Sequence, residues 1–213
     1  MKSVRKLHHL NAWEKNTAWG KNTVLESPLA SSPAASQVTA TGIDGLDGLL
    51  PGGGWPKGGL VEFIVPDEYT DALSLVMPAL VQLSWQGRWI AMVAPPCQTR
   101  ARLFTDADLN PARVLQVNPH PGRSALWTAE SMLQSGTCGV VLAWPNCNTE
   151  LMDKRLKKAA ANGKALGILI RYEGLSTPPS GVDVRLKLAV GAEGSVVYLV
   201  DSQGETLSGA ALV

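Results

Sequence analysis

The stretch GGGWPKGGLVEFIVPDEYTDALSLV, residues 52–76, has the outline of a nucleotide-binding strand, loop and helix. A glycine-rich turn leads into the apolar run LVEFIV, residues 60–65, which predicts a buried strand. A helix is predicted from Asp67 to Gln86, with Pro78 bending it. A phosphate loop at this position needs glycines whose N–H groups wrap the phosphates, a Lys for the outer oxygens, and a Ser or Thr for magnesium.

The loop lacks these residues. Thr70, Asp71 and Ala72 stand where the motif would place its second Gly, its Lys and its hydroxyl. Together with Asp71, the neighbouring Asp67 and Glu68 would face the phosphates, and each like-charge contact at close range costs about 1 kcal/mol or more. The sequence therefore predicts that this loop does not bind ATP and that the protein has no nucleotide cofactor.

The other parts of a nucleotide-hydrolysing site are also missing. Ala143 and Trp144 end the apolar run where a metal-holding Asp is expected, and Pro95 and Pro96 replace an activating carboxylate. No nucleophile with an adjacent base can be assembled around the exposed-loop candidate His120. We therefore predict no catalytic, cofactor-binding or metal-binding residue, and a protein that is not an enzyme.

Composition and charge restrict the class of partner. Lys and Arg number 19 against 18 for Asp and Glu, so the molecule as a whole does not attract nucleic acid or anionic membrane. The three cysteines share no metal-ligand spacing, which is typical of thiols in a reducing cytosol. No apolar run reaches membrane-spanning length, and we expect a cytoplasmic protein with no membrane partner.

Short apolar runs alternate with helical segments along the chain, which predicts an α/β fold with a mainly parallel sheet flanked by helices on both faces. One of the helices is predicted from Asn148, as its N-cap, to Asn162, with Gly163 after its end. The runs at 184–190 and 195–200 predict a C-terminal β-hairpin at one edge of the sheet. A Ser-, Ala- and Pro-rich stretch before Thr41 predicts a linker.

Seven tryptophans against two phenylalanines are the compositional oddity of the chain. Most Trp residues in folded proteins are highly buried, so the first interpretation is an ordinary core or rim position for most of them. The alternative is that some lie on a partner surface, where Trp is enriched among the residues that dominate binding energy.

The segment TGIDGLDGLLPGGGWPKGGLVEF, residues 41–63, resembles the start of RecA-type recombinase cores. The whole of residues 41–172 is similar to the ImuA proteins, RecA-like accessory proteins of damage-induced mutagenesis. The similarity runs through separated blocks that include PALVQLSWQGRWIAMVAPP, LWTAESMLQSGTCGVVLAWP and LKKAAANGKALGILIR. The change in composition near Thr41 predicts an N-terminal tail over residues 1–40, a short helix followed by the linker, and one core domain over residues 41–213, which the resemblance implies to be a degenerate RecA-like core.

The resemblance to ImuA implies a non-catalytic accessory protein of SOS-induced mutagenesis and translesion DNA synthesis. It would act through contacts with an ImuB-like polymerase subunit and an error-prone C-family polymerase, with RecA as a further candidate partner. On this interpretation the recombinase core has lost ATP binding and serves as a scaffold for protein contacts.

Two alternatives remain open. The middle of the chain also resembles the cell-division inhibitor SulA, which implies FtsZ as partner and a contact surface at the RW motif, with Arg88 and then Arg113 as candidate partner-binding residues. A recombinase-like ATPase or nucleic-acid-binding protein has its best support in the basic run DKRLKKAAANGK, residues 153–164. Such a run is more often a solvated helix face, so direct nucleic-acid binding is not favoured.

Overall fold

The computed structural model describes residues 38–67, 70–96, 108–120, 124–147, 149–175, 180–191 and 194–212. These residues fall in a single compact unit. Its helices are α1 (Asp44–Leu49), α2 (Met77–Trp85), α3 (Ala125–Gln134) and α4 (Glu150–Gly163), with a 3-10 turn at Pro111–Arg113. Its strands are β1 (Val38–Thr39), β2 (Trp55–Pro56), β3 (Leu60–Val65), β4 (Trp89–Val93), β5 (Val114–Val117), β6 (Cys138–Ala143), β7 (Leu166–Tyr172), β8 (Val184–Gly191), β9 (Gly194–Val200) and β10 (Thr206–Leu212).

Eight of the strands form one sheet in the order β10-β9-β8-β3-β7-β6-β4-β5, and β1 and β2 form a separate antiparallel pair. Strands β8, β3, β7, β6, β4 and β5 run parallel to one another. Strands β9 and β10 pair antiparallel, β9 with β8 and β10 with β9. The sheet is therefore mixed, with its C-terminal strands gathered at one side.

The predicted fold class, a RecA-like mainly parallel sheet flanked by helices on both faces with a hairpin at one edge, is wrong. The sheet is mixed, and its C-terminal side is built from three strands, because β10 extends the β8–β9 pair. The sequence did not indicate β10, since TLSGAAL contains a Gly and small residues in place of the β-branched run typical of a strand. In the described residues four α-helices accompany the sheet, and α1 has only 6 residues.

Alternation along the strands divides the apolar core between the two faces of the sheet. Phe63 and Met92 point to the face where α1 and α2 pack, whereas Ala91 and Val141 point to the face covered by α3 and α4. Strands β3 and β6 are buried along their whole length, which explains their continuous apolar sequence. Within the sheet, these two strands therefore offer no side-chain surface to a partner.

The helix predicted from Asp67 to Gln86 is correct only in its second half. The structure begins α2 at Met77, and Pro78 occupies the first turn, where a missing N–H breaks no intrahelical hydrogen bond. Pro78 therefore helps to start the helix and does not bend it. The described residues between β3 and α2, 66–67 and 70–76, are not helical, so the helix begins ten residues later than predicted.

The N-cap of helix α4 lies one residue later than predicted. Thr149 is the N-cap, and its side chain accepts a hydrogen bond from the Met152 backbone N–H at 3.3 Å. Gly163 is the last helical residue and not the one after it, and a Cβ built on it would lie 1.8 Å from the Leu133 carbonyl oxygen. The glycine is therefore required for the close crossing of α3 and α4.

Several predictions concern residues that the structure does not describe. Residues 1–37 of the predicted tail lie outside the described residues, as does the predicted cap Asn148. Val38 and Thr39, at the end of the predicted tail, form β1 against β2. The division into a tail over 1–40 and a core over 41–213 stays a prediction.

Candidate functional site

The loop after β3 uses its own carboxylates where a phosphate loop would bind an anion. Asp67 Oδ1 accepts hydrogen bonds from the Thr70 backbone N–H at 2.8 Å and from its hydroxyl at 2.9 Å. Asp71 Oδ1 accepts the backbone N–H groups of Leu73 at 3.2 Å and Ser74 at 3.3 Å. Three backbone N–H groups of this loop, those of Thr70, Leu73 and Ser74, therefore already have anionic partners within the chain.

The remaining positions of a hydrolytic site carry no reactive side chain. β6 ends at the buried Ala143, followed by the half-buried Trp144, and the chain after β4 continues through Ala94 to Pro95 and Pro96. His120 is exposed. Across the described segments, no three His, Cys, Asp or Glu side chains are grouped closely enough to hold a metal ion.

Where the chain is described, no helix combines the length and apolar character needed to cross a lipid bilayer.

A group of exposed aromatic and apolar side chains, with the half-buried Arg113 among them, surrounds the start of β5 at one edge of the sheet. Arg113 Cζ lies 5.4 Å from the centroid of the Trp89 ring, a cation–π arrangement. Trp85, 68% exposed, donates from its indole nitrogen to the Asp108 carbonyl oxygen at 2.7 Å, just before β5. Leu115, on β5 itself, is 40% exposed. We call Trp85, Trp89, Arg113 and Leu115 the β5 edge patch.

The edge strand adds backbone groups to this patch. β5 is the last strand of the sheet and pairs only with β4 among the described residues. The outer edge of such a strand presents N–H and C=O groups that can pair with an extended segment of another protein. The patch thus combines backbone pairing capacity with the residue types that dominate binding energies.

Of the two predicted partner-binding residues, Arg113 belongs to the patch and Arg88 lies beside it. Arg113 stacks on Trp89 within the patch. Arg88 is half-buried, and its Nη2 donates to the Cys138 carbonyl oxygen at 2.7 Å. A Cβ on Gly139 would lie 2.9 Å from the Arg88 Cβ, so the glycine makes room for this side chain. Both arginines remain predictions as partner-binding residues.

Sequence reasoning did not identify Trp85 or Leu115. The high tryptophan content was the available signal, and three of the Trp residues described are exposed: Trp85, Trp89 and, at 46%, Trp127. By contrast, Trp55 is fully buried, and its ring packs edge to face against that of Phe63. Trp85, Trp89 and Trp127 are therefore not core residues.

The basic run on α4 is largely neutralised by neighbouring carboxylates. Lys154 pairs with Glu150 at 2.6 Å, one turn earlier, and Lys157 pairs with Asp183 at 2.6 Å. Arg155 makes a two-pronged contact with Glu130 of α3, with its shorter hydrogen bond at 2.7 Å. Phosphate binding needs a cluster of available cations, so this face does not resemble a nucleic-acid site.

A second set of charged side chains is buried between α4 and the sheet. Arg171 of β7 donates to Glu62 of β3 at 2.8 Å and to Asp153 of α4 at 2.7 Å. Arg185 of β8 donates to the other oxygen of Glu62 at 2.6 Å, and the Ser180 hydroxyl donates to Asp153 at 3.2 Å. The four charged side chains are at most 3% exposed. We call Glu62, Asp153, Arg171 and Arg185 the buried charge network.

This network has a structural role. Burial by itself lowers the pKa of the Arg171 guanidinium, but the hydrogen bond and charge of Asp153, followed by those of Glu62, outweigh burial and raise it. The guanidinium therefore stays charged and joins β3, β7 and α4, while Arg185 attaches the C-terminal strands. Sequence analysis missed the network because its members are separated by up to 123 residues.

The middle of the chain is similar to known proteins of one family. Residues 59–167 match the family described as "Cell division inhibitor SulA". The cell division inhibitor SulA of Serratia marcescens is 28% identical over 133 residues, covering 62% of this chain and 79% of that protein. SulA of Yersinia pestis strain Pestoides F is 29% identical over 132 residues, with the same two coverages of 62% and 79%. The crystal structure of SulA from Pseudomonas aeruginosa matches with a TM-score of 0.43 and 26% identity, covering 53% of this chain and 97% of that one.

The comparisons favour one of the interpretations left open by the sequence. They support the similarity to SulA, and they do not confirm the ImuA assignment or its partners ImuB, the C-family polymerase and RecA. The family match over residues 59–167, together with the observed mixed sheet and the four described helices, replaces the predicted RecA-like class by a SulA-like one.

Proposed function

This chain belongs to the SulA family, and from that premise we propose that it inhibits cell division by binding another protein through the β5 edge patch. The observation that carries the proposal is the family match over residues 59–167, which includes Trp85, Trp89, Arg113 and Leu115. The patch is therefore inside the part of the chain that is related to cell division inhibitors.

The physical character of the patch supports a protein partner. Trp and Arg are the residue types most enriched among those that dominate binding energies, and here they stack on each other at the surface. Trp89 is 37% exposed and Leu115 is 40% exposed, so both still have apolar area to lose to a partner. Arg113, already oriented by the Trp89 ring, would lose little side-chain entropy on binding.

The partner we propose is FtsZ, which the resemblance to SulA implies. Arg88 and Arg113 are proposed to take part, Arg113 by direct contact and Arg88 from beside the patch. A stable contact of this kind blocks division without chemistry, and we propose a non-catalytic, cytoplasmic protein. In the loop after β3, Asp67 and Asp71 accept hydrogen bonds from backbone N–H groups, which supports a mechanism that does not depend on ATP.

Binding of the purified full chain to FtsZ tests the proposal, together with filamentation of cells that overexpress it. Trp89→Ala and Arg113→Ala are each expected to weaken FtsZ binding by about 2 kcal/mol, roughly thirtyfold, and to abolish filamentation. Leu151→Ala and Lys158→Ala are the matched controls, because both residues are exposed on α4, outside the patch. Absence of FtsZ binding, or equal losses in patch and control variants, would contradict the proposal.

A further inference from the structure

A large cavity opens at the amino-terminal ends of the central strands. Its volume is about 920 Å³, within the range of pockets that bind ligands. Gly58 before β3, Arg88 before β4, Gly139 of β6 and Leu166 of β7 contribute to its lining, together with residues of β1, β2, α2 and the end of α4. We call it the amino-end cavity.

The lining of this cavity has one sign of charge. Lys57, Arg88 and Lys164 all contribute to it, and among the described residues its lining contains no Asp or Glu. Three cations around one concave space raise the local concentration of anions, because the low-dielectric walls focus the field. The whole chain is almost neutral, so this asymmetry is local to the cavity.

The side chain of one cation and the backbone of another are held in defined conformations. Arg88 is anchored by its hydrogen bond to the Cys138 carbonyl oxygen at 2.7 Å. Lys164 caps α4 in the left-handed conformation, with φ of 51°, which a non-glycine residue adopts at a cost of roughly 1 kcal/mol. Glycine or asparagine would suit this position better, and a lysine kept at such a cost points to a use for its charge.

One residue of the lining also carries an unsatisfied donor. The indole nitrogen of Trp55 is buried and has no hydrogen-bond partner among the described residues. A buried N–H without an acceptor is destabilising, and such groups are uncommon in folded proteins.

We propose that the amino-end cavity receives an acidic peptide segment of the partner protein, whose carboxylates are bound by Lys57, Arg88 and Lys164. The inference rests on the proposed function, since it adds a second contact to the same partner. Arg88 directly precedes Trp89, and Gln86 of the lining directly follows Trp85, so the cavity and the β5 edge patch adjoin. One partner can therefore reach both.

Size and charge favour this occupant over others. A volume of about 920 Å³ accommodates several peptide residues, far more than one small inorganic anion. The chain's own first 37 residues carry five Lys or Arg against two Glu, so their charge does not complement the cavity. An acidic segment of a different protein has the required charge.

The test uses the full-length protein and a fluorescein-labelled short peptide of Asp, Glu and Ser, followed by fluorescence anisotropy. We expect saturable binding that weakens as salt rises, and no binding of a peptide with Asn and Gln in place of the acids. Lys164→Gln is expected to weaken peptide binding about fivefold. Lys158→Gln, which removes the same charge outside the cavity, is expected to leave it unchanged.

Lys164→Gly separates binding from folding. Because glycine relieves the left-handed strain, this variant should unfold at the same or a higher temperature than the parent protein while binding the peptide as weakly as Lys164→Gln. Failure of the peptide to bind, equal loss in Lys158→Gln, or displacement by inorganic phosphate at concentrations comparable to those of the peptide would overturn the inference.

The outcome is distinguishable from failure of the proposed function. If the chain binds FtsZ through Trp89 and Arg113 but Lys164→Gln binds FtsZ and the peptide normally, the cavity proposal is wrong and the patch proposal stands. If the peptide binds at Lys164 but FtsZ does not bind at all, the cavity is an acidic-peptide site and the proposed partner is wrong.

Discussion

Replacing Glu62 by Gln removes one negative charge from the centre of the buried charge network. Both oxygens of Glu62 are used, one by Arg171 at 2.8 Å and the other by Arg185 at 2.6 Å. Glutamine has nearly the same shape, but its amide nitrogen would face a guanidinium. Asp153 would then be the only carboxylate in the network for two buried guanidinium groups.

The size of the effect follows from burial. Glu62 and Arg171 are 0% exposed and Arg185 is 3% exposed, so water cannot replace the lost partner. Breaking a buried ion pair by removing one member costs about 3–5 kcal/mol. A domain of this size loses about 2–4 °C in melting temperature per kcal/mol, so Glu62→Gln should melt roughly 10 °C lower.

Urea unfolding followed by tryptophan fluorescence measures the change in the free energy of unfolding. Glu130→Gln is the matched control, because it breaks the two-pronged contact with Arg155, whose side chain is 50% exposed, and should cost less than about 1 kcal/mol. Adding Arg185→Met to Glu62→Gln removes the cation that has lost its Glu62 carboxylate and should cost less than the sum of the two single changes. A loss for Glu62→Gln no larger than that of the control would refute the reasoning.

Three further predictions concern other parts of the molecule. Gly163→Ala should lower the free energy of unfolding in urea by more than about 2 kcal/mol, because its Cβ would lie 1.8 Å from a carbonyl oxygen of α3. The control Gly174→Ala, whose Cβ would have nothing within 4 Å, should change the same free energy by less than about 0.5 kcal/mol. Similar losses in the two variants would contradict the close crossing. Burial raises the pKa of the Cys138 thiol, so iodoacetamide should modify the exposed Cys147 before Cys138, and equal labelling of these two cysteines would argue against this. The contribution of the neutral Cys138 thiol to the free energy of unfolding should be complete below its unfolded pKa and should be lost as the pH rises through its folded pKa. Asp71→Lys should not create ATP binding, because the loop still lacks glycines and retains Asp67; micromolar ATP affinity by calorimetry would show that the loop had been misjudged.

Much of the secondary structure could be predicted because its signals are local. The apolar runs predicted as strands at 60–65, 184–190 and 195–200 coincide with β3, β8 and β9 to within a residue. The helix predicted from its N-cap Asn148 to Asn162 coincides with α4 and its N-cap Thr149 to within a residue. Local signals misled at α2, where Pro78 was compatible with either a bend or a helix start, and only the tertiary structure distinguishes them.

The candidate site could be predicted only in part. The RW motif directed attention to Arg88 and Arg113, but nothing local indicates that Trp85 and Leu115 lie beside them, because that depends on β5 being the last strand of the sheet. Likewise, the cavity combines Lys57 and Lys164 from segments more than a hundred residues apart. Neither grouping has a signature in the order of residues along the chain.

The amino-acid sequence by itself determined most strand and helix types and the absence of the Gly, Lys and hydroxyl pattern of a phosphate loop after β3, because steric preference, periodicity and charge act between near neighbours. The tertiary structure alone decided the mixed order of the sheet, the placement of β10, the pairing of Glu62 with two arginines, and which tryptophans are exposed. These depend on which distant segments lie side by side, and that is settled by burial and hydrogen bonding summed over the whole fold.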